Sequence, residues 1–225
     1  MKPYYSDQYC TIYHGDNREL QLEVPCDLML SDPPYGIGEA AGNNKSRAGR
    51  VLQRDGKTII PVKPKDYGVS SWDNERSSNL RLDLATKHII FGGNYYADTL
   101  AASSCWLVWD KLNGETDFAD CELAWTNLPG AVRRYTYRWN GMLRQLPEDR
   151  WHPTQKPGAL MHWCIAQADI KLKAAVQTII DPFMGSGTTL RAAKDLQRKA
   201  IGIELDERYC EISAKRLRQE VLALK

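Results

Sequence analysis

A short motif of an acid, two prolines and a tyrosine, Asp32-Pro33-Pro34-Tyr35, has the residue types needed to act on an aromatic amine. It follows an apolar run at 27–31 that predicts a β-strand, and the prolines end that strand because proline cannot continue a central ladder. An aromatic amine is a poor nucleophile because its lone pair is delocalised into the ring. The Asp32 carboxylate and the Pro33 carbonyl can each accept a hydrogen bond from the amino group and so favour a pyramidal nitrogen. The competing interpretation is a proline-stopped strand with a capping aspartate.

A glycine-rich turn, Asp181-Pro182-Phe183-Met184-Gly185-Ser186-Gly187-Thr188-Thr189, follows a second apolar strand. Glycine lacks a Cβ, so its backbone can approach a ligand closely. The next strand ends in Glu204, near the offset of about 20 residues at which an acid meets a ribose hydroxyl in nucleotide-binding units. No Gly-Lys-Ser/Thr follows, so a nucleoside without a phosphate chain fits better than a triphosphate. A tight turn without a ligand is the alternative.

Apolar runs of strand length alternate with helical patterns along the chain, which indicates an α/β protein with a parallel sheet. Open sheets of this kind place their sites at the carboxyl ends of strands, where both motifs lie. The predicted strands are 27–31, 88–94 with its closing glycine turn, 105–110, 122–125, 178–181 and 200–204, and the predicted helices are 95–102, 158–168, 189–197 and 206–223.

Length and composition indicate one domain, 1–225, with an ordinary core. The net charge of +2 does not by itself indicate a nucleic-acid partner. No apolar run approaches the ~20 residues of a membrane span, and the N-terminus has no signal core, so we expect a cytoplasmic protein. The six cysteines have no spacing typical of zinc ligands, so we expect reduced, mostly buried thiols and no metal site.

Positive charge is concentrated in two weakly patterned segments, 39–80 and 129–151. We interpret the first as a long loop or insertion and the second as a short DNA-recognition segment, because basic and aromatic side chains together suit phosphate contact and base stacking. A solvated charged face is the alternative. The first contains Lys45, Arg47, Arg50, Arg54, Lys57, Lys63 and Lys65, and the second contains Arg133, Arg134, Arg138, Arg144 and Arg150 interleaved with Tyr135, Tyr137 and Trp139.

Together the motifs resemble the amino-methyltransferase family of DNA in its β subclass, in which the catalytic motif precedes the cofactor motif. Residues 32–35 match the catalytic motif, and residues 181–189 match the pocket for the methionine part of the cofactor. The segment 152–157, His-Pro-Thr-Gln-Lys-Pro, matches a stretch that contacts the cofactor's amino-acid end. Gly15-Asp16 and Gly92-Gly93-Asn94 resemble two shorter motifs of the family. The match spans nearly the whole chain in the expected order.

The resemblance implies a doubly wound mixed sheet of the Rossmann-like methyltransferase type, with the motif order permuted and S-adenosylmethionine as cofactor. It implies that the target base is contacted by Asp32, Pro33, Pro34 and Tyr35, with Tyr35 stacked on a flipped base. For the cofactor it implies Asp16 near the adenine, Glu204 on the ribose, Thr154 and Lys156 at the carboxylate end, and Asp32, Asp181, Pro182, Phe183, Gly185, Ser186, Gly187 and Thr188 around the methionine. Double-stranded DNA is the implied partner, contacted by Lys45, Arg47, Arg50, Arg133, Arg134 and Arg138. A homodimer and a cognate restriction nuclease are compatible with the family.

The target base stays open between adenine and cytosine. An aspartate in the first position of the motif favours the N6 amino group of adenine, whereas Ser-Pro-Pro is more usual for N4 of cytosine, and Ser31 does not immediately precede the prolines. Relatives with Asn-Pro-Pro-Tyr that methylate RNA or protein glutamine place the cofactor motif first, unlike this chain. A catalytically inert DNA-binding protein should have lost Asp32 or the glycine turn, and both are intact.

Overall fold

The computed structural model describes residues 1–38, 49–52, 59–62, 75–114, 119–140, 143–145, 148–152 and 154–219, with the backbone alone at 49–52, 59–62, 140 and 143–144. The strands are β1 (Tyr5–Ser6), β2 (Cys10–His14), β3 (Cys26–Ser31), β4 (Gly49–Leu52), β5 (Ile59–Val62), β6 (Ala85–Phe91), β7 (Trp106–Asp110), β8 (Cys121–Thr126), β9 (Arg133–Thr136), β10 (Trp139–Asn140), β11 (Leu143–Arg144), β12 (Thr178–Asp181) and β13 (Lys199–Glu204). The α-helices are α1 (Gly158–Leu172), α2 (Thr188–Asp195) and α3 (Glu207–Arg218), and short 3-10 helices occupy Asn17–Glu19, Leu82–Leu84 and Gly93–Tyr96.

Nine strands form one mixed sheet in the spatial order β1-β2-β13-β12-β3-β6-β8-β7-β9. The strands from β2 to β6 in this order run parallel, whereas β8 runs antiparallel to both of its neighbours. β12 lies directly beside β3, with Ile179 opposite Leu28 and Ile180 opposite Met29. Because parallel strands end at the same edge of a sheet, Asp32 and Asp181 meet there. The predicted mixed sheet, with the two motif strands adjacent, is confirmed.

The two faces of the sheet are covered differently. Leu28 and Ile179 face the main core, to which all three α-helices of the described residues contribute. Met29 and Ile180 face a smaller cluster that includes Leu84 and no residue of these helices. The predicted α-helix at 95–102 is instead the 3-10 helix Gly93–Tyr96 and turns, so the second face is covered by 3-10 segments. An isolated stretch this short forms a marginal helix, and here burial of the aromatic Tyr96 determines its conformation.

Both basic segments contain strands. In the range 39–80, β4 and β5 pair as antiparallel strands, so these two stretches of the predicted loop or insertion are strands rather than loop. Lys45 and Arg47 lie outside the described residues. In the range 129–151, β9 adds to the sheet edge parallel to β7, and β10 pairs with β11. Five of the six cysteines are buried, as predicted, and Cys121 is exposed. Among the described helices, none is long and apolar enough to cross a membrane.

Candidate active site at the carboxyl edge of the sheet

The Asp-Pro-Pro-Tyr motif folds back on itself where β3 ends. The Tyr35 hydroxyl donates a hydrogen bond to Asp32 Oδ1. The Tyr35 ring stacks on the exposed Tyr95, with ring centroids 4.9 Å apart. Gly92, with φ +66°, also lies against this ring, and a Cβ there would be 2.0 Å from Tyr35 Cε1. A glycine at position 92 therefore makes room for the motif's aromatic ring, which explains the glycines that follow β6.

The Pro-Pro unit is anchored by its second carbonyl. The Pro34 carbonyl accepts a 2.5 Å hydrogen bond from the Tyr96 hydroxyl and a 3.3 Å bond from the backbone N–H of Ser77. Tyr96 is buried, so it forms a fixed support behind the motif. The chain direction through Pro33 and Pro34 is therefore set by tertiary contacts as well as by the proline rings.

Lys156 lies beside Asp32, an arrangement that the sequence analysis did not anticipate. Its ammonium nitrogen is 2.7 Å from Asp32 Oδ2 and 2.9 Å from Glu122 Oε2, and its side chain is 8% exposed. The resemblance had assigned Lys156 to the cofactor's carboxylate end. Glu122 was not singled out as a site residue, although an acid near the start of an otherwise apolar strand was an available signal. Lys111 forms a further ion pair with Glu122.

The charges of this network shift the pKa values of Asp32, Glu122 and Lys156. Desolvation raises the pKa of Asp32, which Lys156 opposes and Glu122 reinforces. Desolvation also acts to raise the pKa of Glu122, but Lys156 and Lys111 outweigh it and hold that pKa at about 2. For Lys156, desolvation favours the neutral amine, yet Asp32 and Glu122 raise its pKa above the ordinary value. Lys156 therefore carries its positive charge at neutral pH and favours the ionised form of Asp32.

The glycine turn after β12 holds a carboxylate at its centre. The backbone N–H groups of Gly185 and Asp206 each donate a 2.9 Å hydrogen bond to the Glu204 carboxylate. Desolvation raises the pKa of Glu204 to about 7. Gly187 has φ +76°, and a Cβ there would lie 2.7 Å from Ser213 Oγ, so the helix α3 packs directly on the turn. The turn therefore lies directly against the Glu204 carboxylate, a group that can accept hydrogen bonds from a ligand.

A hydrogen bond joins the two motif strands at the site. Ser31 Oγ donates to Asp181 Oδ1 at 2.9 Å, and the Phe183 N–H donates to the same oxygen at 3.1 Å. Asp181 is buried, and this burial raises its pKa to about 6. Residues on β3 and β12 thus keep the ends of the strands in register where a cofactor and a second substrate would meet.

The remaining turn residues are held from outside the turn. The Pro182 carbonyl accepts a 3.2 Å hydrogen bond from Asn17 Nδ2. Ser186 Oγ donates to Gln155 Oε1 at 3.2 Å, which ties the turn to the segment 152–157. Arg216 Nη1 donates to the Ser186 carbonyl at 2.5 Å and to Thr188 Oγ1 at 3.4 Å. These contacts fix the backbone from which a ligand would be bound.

The segment 152–157 covers the glycine turn. The position of a Cβ on Gly185 would be 4.0 Å from His152 Cδ2, and the His152 ring meets Tyr209 edge-on at 4.5 Å. Desolvation lowers the pKa of His152 to about 3, so the ring is neutral. Thr154 Oγ1 lies 3.0 Å from His152 Nδ1. Thr154 therefore orients the imidazole above the turn, and Pro153 lies outside the described residues.

Asp16 lies at the end of β2, next to β13. Its side chain accepts a hydrogen bond from the backbone N–H of Arg18 and pairs with the Arg18 guanidinium, which lowers the Asp16 pKa to about 2. The preceding Gly15 N–H donates to the Glu204 carbonyl at 2.9 Å. The chain therefore places Asp16 at the same edge as Glu204, where Asp16 also caps the 3-10 helix Asn17–Glu19.

The predicted DNA-recognition segment separates its basic and aromatic residues. Along β9 and into β10, side chains alternate between the two sides of the strand. Arg133, Arg134 and Arg138 are exposed, and Arg134 lies 3.7 Å from Asp110. Tyr137 and Trp139 are buried. The interpretation that these two rings stack on bases is wrong, because a period-two pattern directs them into the core.

Comparisons with known proteins agree with this geometry. A model of the family described as DNA methylase, an N6/N4 methyltransferase family, matches residues 26–215. The Type II methyltransferase M.HinfI of Haemophilus influenzae is 40% identical over 271 residues, covering 97% of this chain and 71% of that protein. The cytosine-N4-specific PvuII DNA methyltransferase superposes with a TM-score of 0.55 at 14% identity, covering 99% of this chain and 91% of that structure. M1.HpyAVI, solved as a complex with SAM, has a TM-score of 0.51 at 20% identity, covering 93% and 100%. With both motifs at adjacent strand ends and a family match across most of its length, the chain belongs to the N6/N4 DNA methylase family.

Proposed function

We propose that this chain transfers a methyl group from S-adenosylmethionine to the exocyclic amino group of adenine in double-stranded DNA. The observation that carries the proposal is the adjacency of β3 and β12, which brings Asp32 and the glycine turn to one edge of the sheet. A methyl group bound at the turn and an amino group held at Asp32 then lie within reach of each other. Proximity of this kind converts a bimolecular reaction into one within a single complex.

The residues around the turn fit the proposed cofactor. The Glu204 oxygens each accept one backbone hydrogen bond, which leaves lone pairs to accept the two ribose hydroxyls. At Gly185 the nearest atom to the position of a Cβ is His152 Cδ2 at 4.0 Å, which leaves room for the methionine part. Asp16 follows β2, the neighbour of β13, and would approach the cofactor adenine. The M1.HpyAVI complex with SAM shares this fold and is consistent with the assignment.

Asp32 acts on the amino group as its nitrogen becomes pyramidal. Its carboxylate accepts one hydrogen bond from the amino group and the Pro33 carbonyl accepts the other, so the lone pair is directed at the methyl group. S-adenosylmethionine supplies an electrophilic methyl on sulfur. The new N–C bond forms as the S–C bond breaks, its electron pair stays on sulfur, and the methylated cationic nitrogen then loses one proton to solvent water. The amine is too weak an acid to lose a proton earlier, so Asp32 orients the group and stabilises developing positive charge.

Tyr35 competes with the target base for Asp32. Its hydroxyl donates to Asp32 Oδ1 and so takes up one of the acceptor positions that the amino group can use, while its ring stacks on Tyr95. Entry of a flipped base exchanges the hydroxyl for the amino group and places the ring of Tyr35 against the base. Stacking of this type favours an extruded base in a protein pocket.

Adenine is the preferred target because the first motif residue is an aspartate. Cytosine N4 methylation is the competing assignment, and it is the specificity named for the PvuII neighbour. The relative M.HinfI is named a Type II methyltransferase, so we further propose that this chain modifies a specific DNA site. Incubating unmethylated genomic DNA with the protein and cofactor, followed by mass spectrometry of the nucleosides, distinguishes N6-methyladenine from N4-methylcytosine.

Substitution of Asp32 tests the catalytic assignment. Asp32→Ala should fold, bind cofactor and bind DNA, yet transfer almost no methyl, because the contribution of Asp32 is made in the transition state. Asp32→Asn keeps an oxygen acceptor, so partial activity is expected if orientation dominates, and an inactive variant would indicate that the charge is essential. Asp83→Asn, which removes an exposed carboxylate that pairs with Arg81, is the matched control and should behave as wild type. Turnover of Asp32→Ala within a few-fold of wild type would contradict the proposal.

A further inference from the structure

Lys156 is held between two carboxylates, only one of which belongs to the catalytic motif. Its ammonium nitrogen lies 2.7 Å from Asp32 Oδ2 on one side and 2.9 Å from Glu122 Oε2 on the other. The ring of Phe91 approaches the same nitrogen, with its centroid at 5.4 Å. Lys111 pairs with the second Glu122 oxygen. The charges alternate in sign along this row, so each is adjacent to a charge of opposite sign.

Glu122 reaches the catalytic edge because β8 is reversed. In the parallel strands the edge is formed by their last residues, but β8 runs antiparallel to β6 and β7, so its first residues lie there. Glu122 pairs with Trp109 in the register, and the Lys111 N–H donates to the Asp120 carbonyl at 2.9 Å. Glu122 and Lys111 are therefore fixed by adjacent β-strand backbones, which makes Glu122 a rigid point of attachment.

A lysine ammonium is a flexible point charge on a four-carbon stem, and one carboxylate alone does not define its position. Partial burial of a carboxylate is energetically unfavourable unless the carboxylate is paired. A glutamate without a role is therefore not expected at this place. We propose that Glu122 is a positioning residue that holds the Lys156 ammonium against Asp32 and thereby orients the Asp32 carboxylate toward the target amino group. The inference rests on the proposed role of Asp32. The other groups facing Asp32 are the hydroxyl of Tyr35 and, from β12, the carboxyl of Asp181.

Glu122→Gln keeps the size of the side chain and removes its charge. The single-turnover rate of methyl transfer should fall about 10- to 100-fold, because the Lys156 ammonium loses one of the two carboxylate charges that hold it in place. The dissociation constants for S-adenosylmethionine and DNA should stay within about twofold, because Glu122 contacts neither in this mechanism. The matched control is Glu211→Gln, which removes an exposed ion pair with Lys215 and should leave the rate unchanged.

A double-mutant cycle separates positioning from a general structural role. If Glu122 acts through Lys156, then Glu122→Gln should have no further effect on the rate in a Lys156→Met background. A further loss of similar size in that background, or a wild-type rate in the single variant, would overturn the inference. If Glu122→Gln fails to fold, Lys111→Met takes its place, because it removes the other ion pair of the same carboxylate. The double-mutant cycle with Lys156→Met is then measured for Lys111→Met, and the same two outcomes would overturn the inference.

The Asp32 variants distinguish this inference from the proposed function. An active Asp32→Ala protein contradicts the proposed function and removes the basis of the role for Glu122. An inactive Asp32→Ala protein together with a wild-type rate for Glu122→Gln contradicts only the role of Glu122. An inactive Asp32→Ala protein, a slow Glu122→Gln protein and a non-additive cycle support both.

Discussion

At the scale of single residues, the state of Asp32 depends on opposing influences. Desolvation and the nearby Glu122 raise its pKa, whereas the Lys156 ammonium lowers it. The proposed chemistry needs the ionised carboxylate, since a protonated Asp32 would lose acceptor capacity toward the amino group. Lys156 is therefore part of what keeps the site active near neutral pH.

Lys156→Met should move the acid limb of the pH–rate profile toward higher pH. Removing the cation leaves desolvation and Glu122 to raise the Asp32 pKa further, so a higher pH is needed to ionise the carboxylate. The measurement is the single-turnover rate across the acidic and neutral range at saturating cofactor and DNA. Lys215→Met, at an exposed ion pair, is the control and should keep the wild-type profile. An unchanged acid limb in Lys156→Met would show that another group determines it.

Glu204 should make cofactor binding depend on pH. Its pKa of about 7 means that the carboxylate is largely protonated below that pH, and the protonated form accepts fewer hydrogen bonds from the ribose. If binding requires the ionised form, affinity should level off above pH 7 and fall toward about tenfold per unit below it. Calorimetric titration with S-adenosylmethionine at several pH values measures this dependence.

Variants at position 204 provide the comparison for that titration. Glu204→Ala should weaken binding by roughly 1.5–3 kcal/mol, the range for hydrogen bonds to a charged group. Glu204→Gln should also bind weakly and should lose the dependence near neutral pH. Transfer at saturating cofactor should suffer less than affinity. A folded Glu204→Ala protein with wild-type affinity would remove this residue from the site.

At the scale of the elements, the turn that ends β6 supports the motif that ends β3. Gly92 has φ +66° and lies against the Tyr35 ring, while Gly114 has a similar φ of +63° and no atom of the described residues within 4 Å of the position of a Cβ. The two glycines therefore share backbone strain and differ in steric contact, which makes them a matched pair for mutagenesis.

Gly92→Ala should displace Tyr35 and slow methyl transfer by more than tenfold, because the new Cβ would overlap the ring. Gly114→Ala should cost only the strain of a left-handed alanine, about 1–2 kcal/mol of the free energy of unfolding, with the rate retained. Thermal unfolding and single-turnover transfer, measured on both variants, separate the two effects. Equal rates in the two variants would show that the position of Tyr35 is not limiting.

At the scale of the whole molecule, a net charge of +2 conceals an uneven distribution, because the segments 39–80 and 129–151 each carry a net positive charge. Replacing Lys45, Arg47 and Arg50 together by Gln should weaken DNA binding and flatten its salt dependence. The slope of log affinity against log salt concentration should become shallower by about 0.9 for every side chain that pairs with a phosphate in the wild-type complex. Fluorescence anisotropy with duplex DNA at several salt concentrations gives the slope.

The control for this experiment makes the same change in charge at the edge of the sheet where the parallel strands begin, away from the candidate site. Lys87 and Lys199 lie near the starts of β6 and β13, and Lys173 follows α1. Gln at these three positions should leave the salt slope unchanged, because that edge faces away from the candidate site. Equal slopes for both triple variants would mean that residues 45–50 are merely solvated.

The sequence by itself determined the chemistry of the two motifs and the elements that carry them. The prolines after β3 and the glycines after β12 are local signals, since each residue type restricts its own backbone. The carboxyl-end placement of both motifs follows from the α/β pattern, and family resemblance added the cofactor. The same reasoning from local composition, applied to the basic and aromatic residues at 133–139, predicted base stacking, and this was wrong for Tyr137 and Trp139. Their alternation with arginine marks strand residues directed into a core, and composition alone does not show this.

Only the tertiary structure decided which charges meet. Lys156 is 124 positions from Asp32 in the chain, and the two come together through the order of the strands and the cover formed by the segment 152–157. Glu122 joins them only because β8 is antiparallel, so that its first residues lie at the edge where its neighbours end. Strand order and direction depend on the packing of the whole sheet, and no local pattern specifies them. For that reason the sequence identified the reacting groups, and the fold identified the residues that hold them.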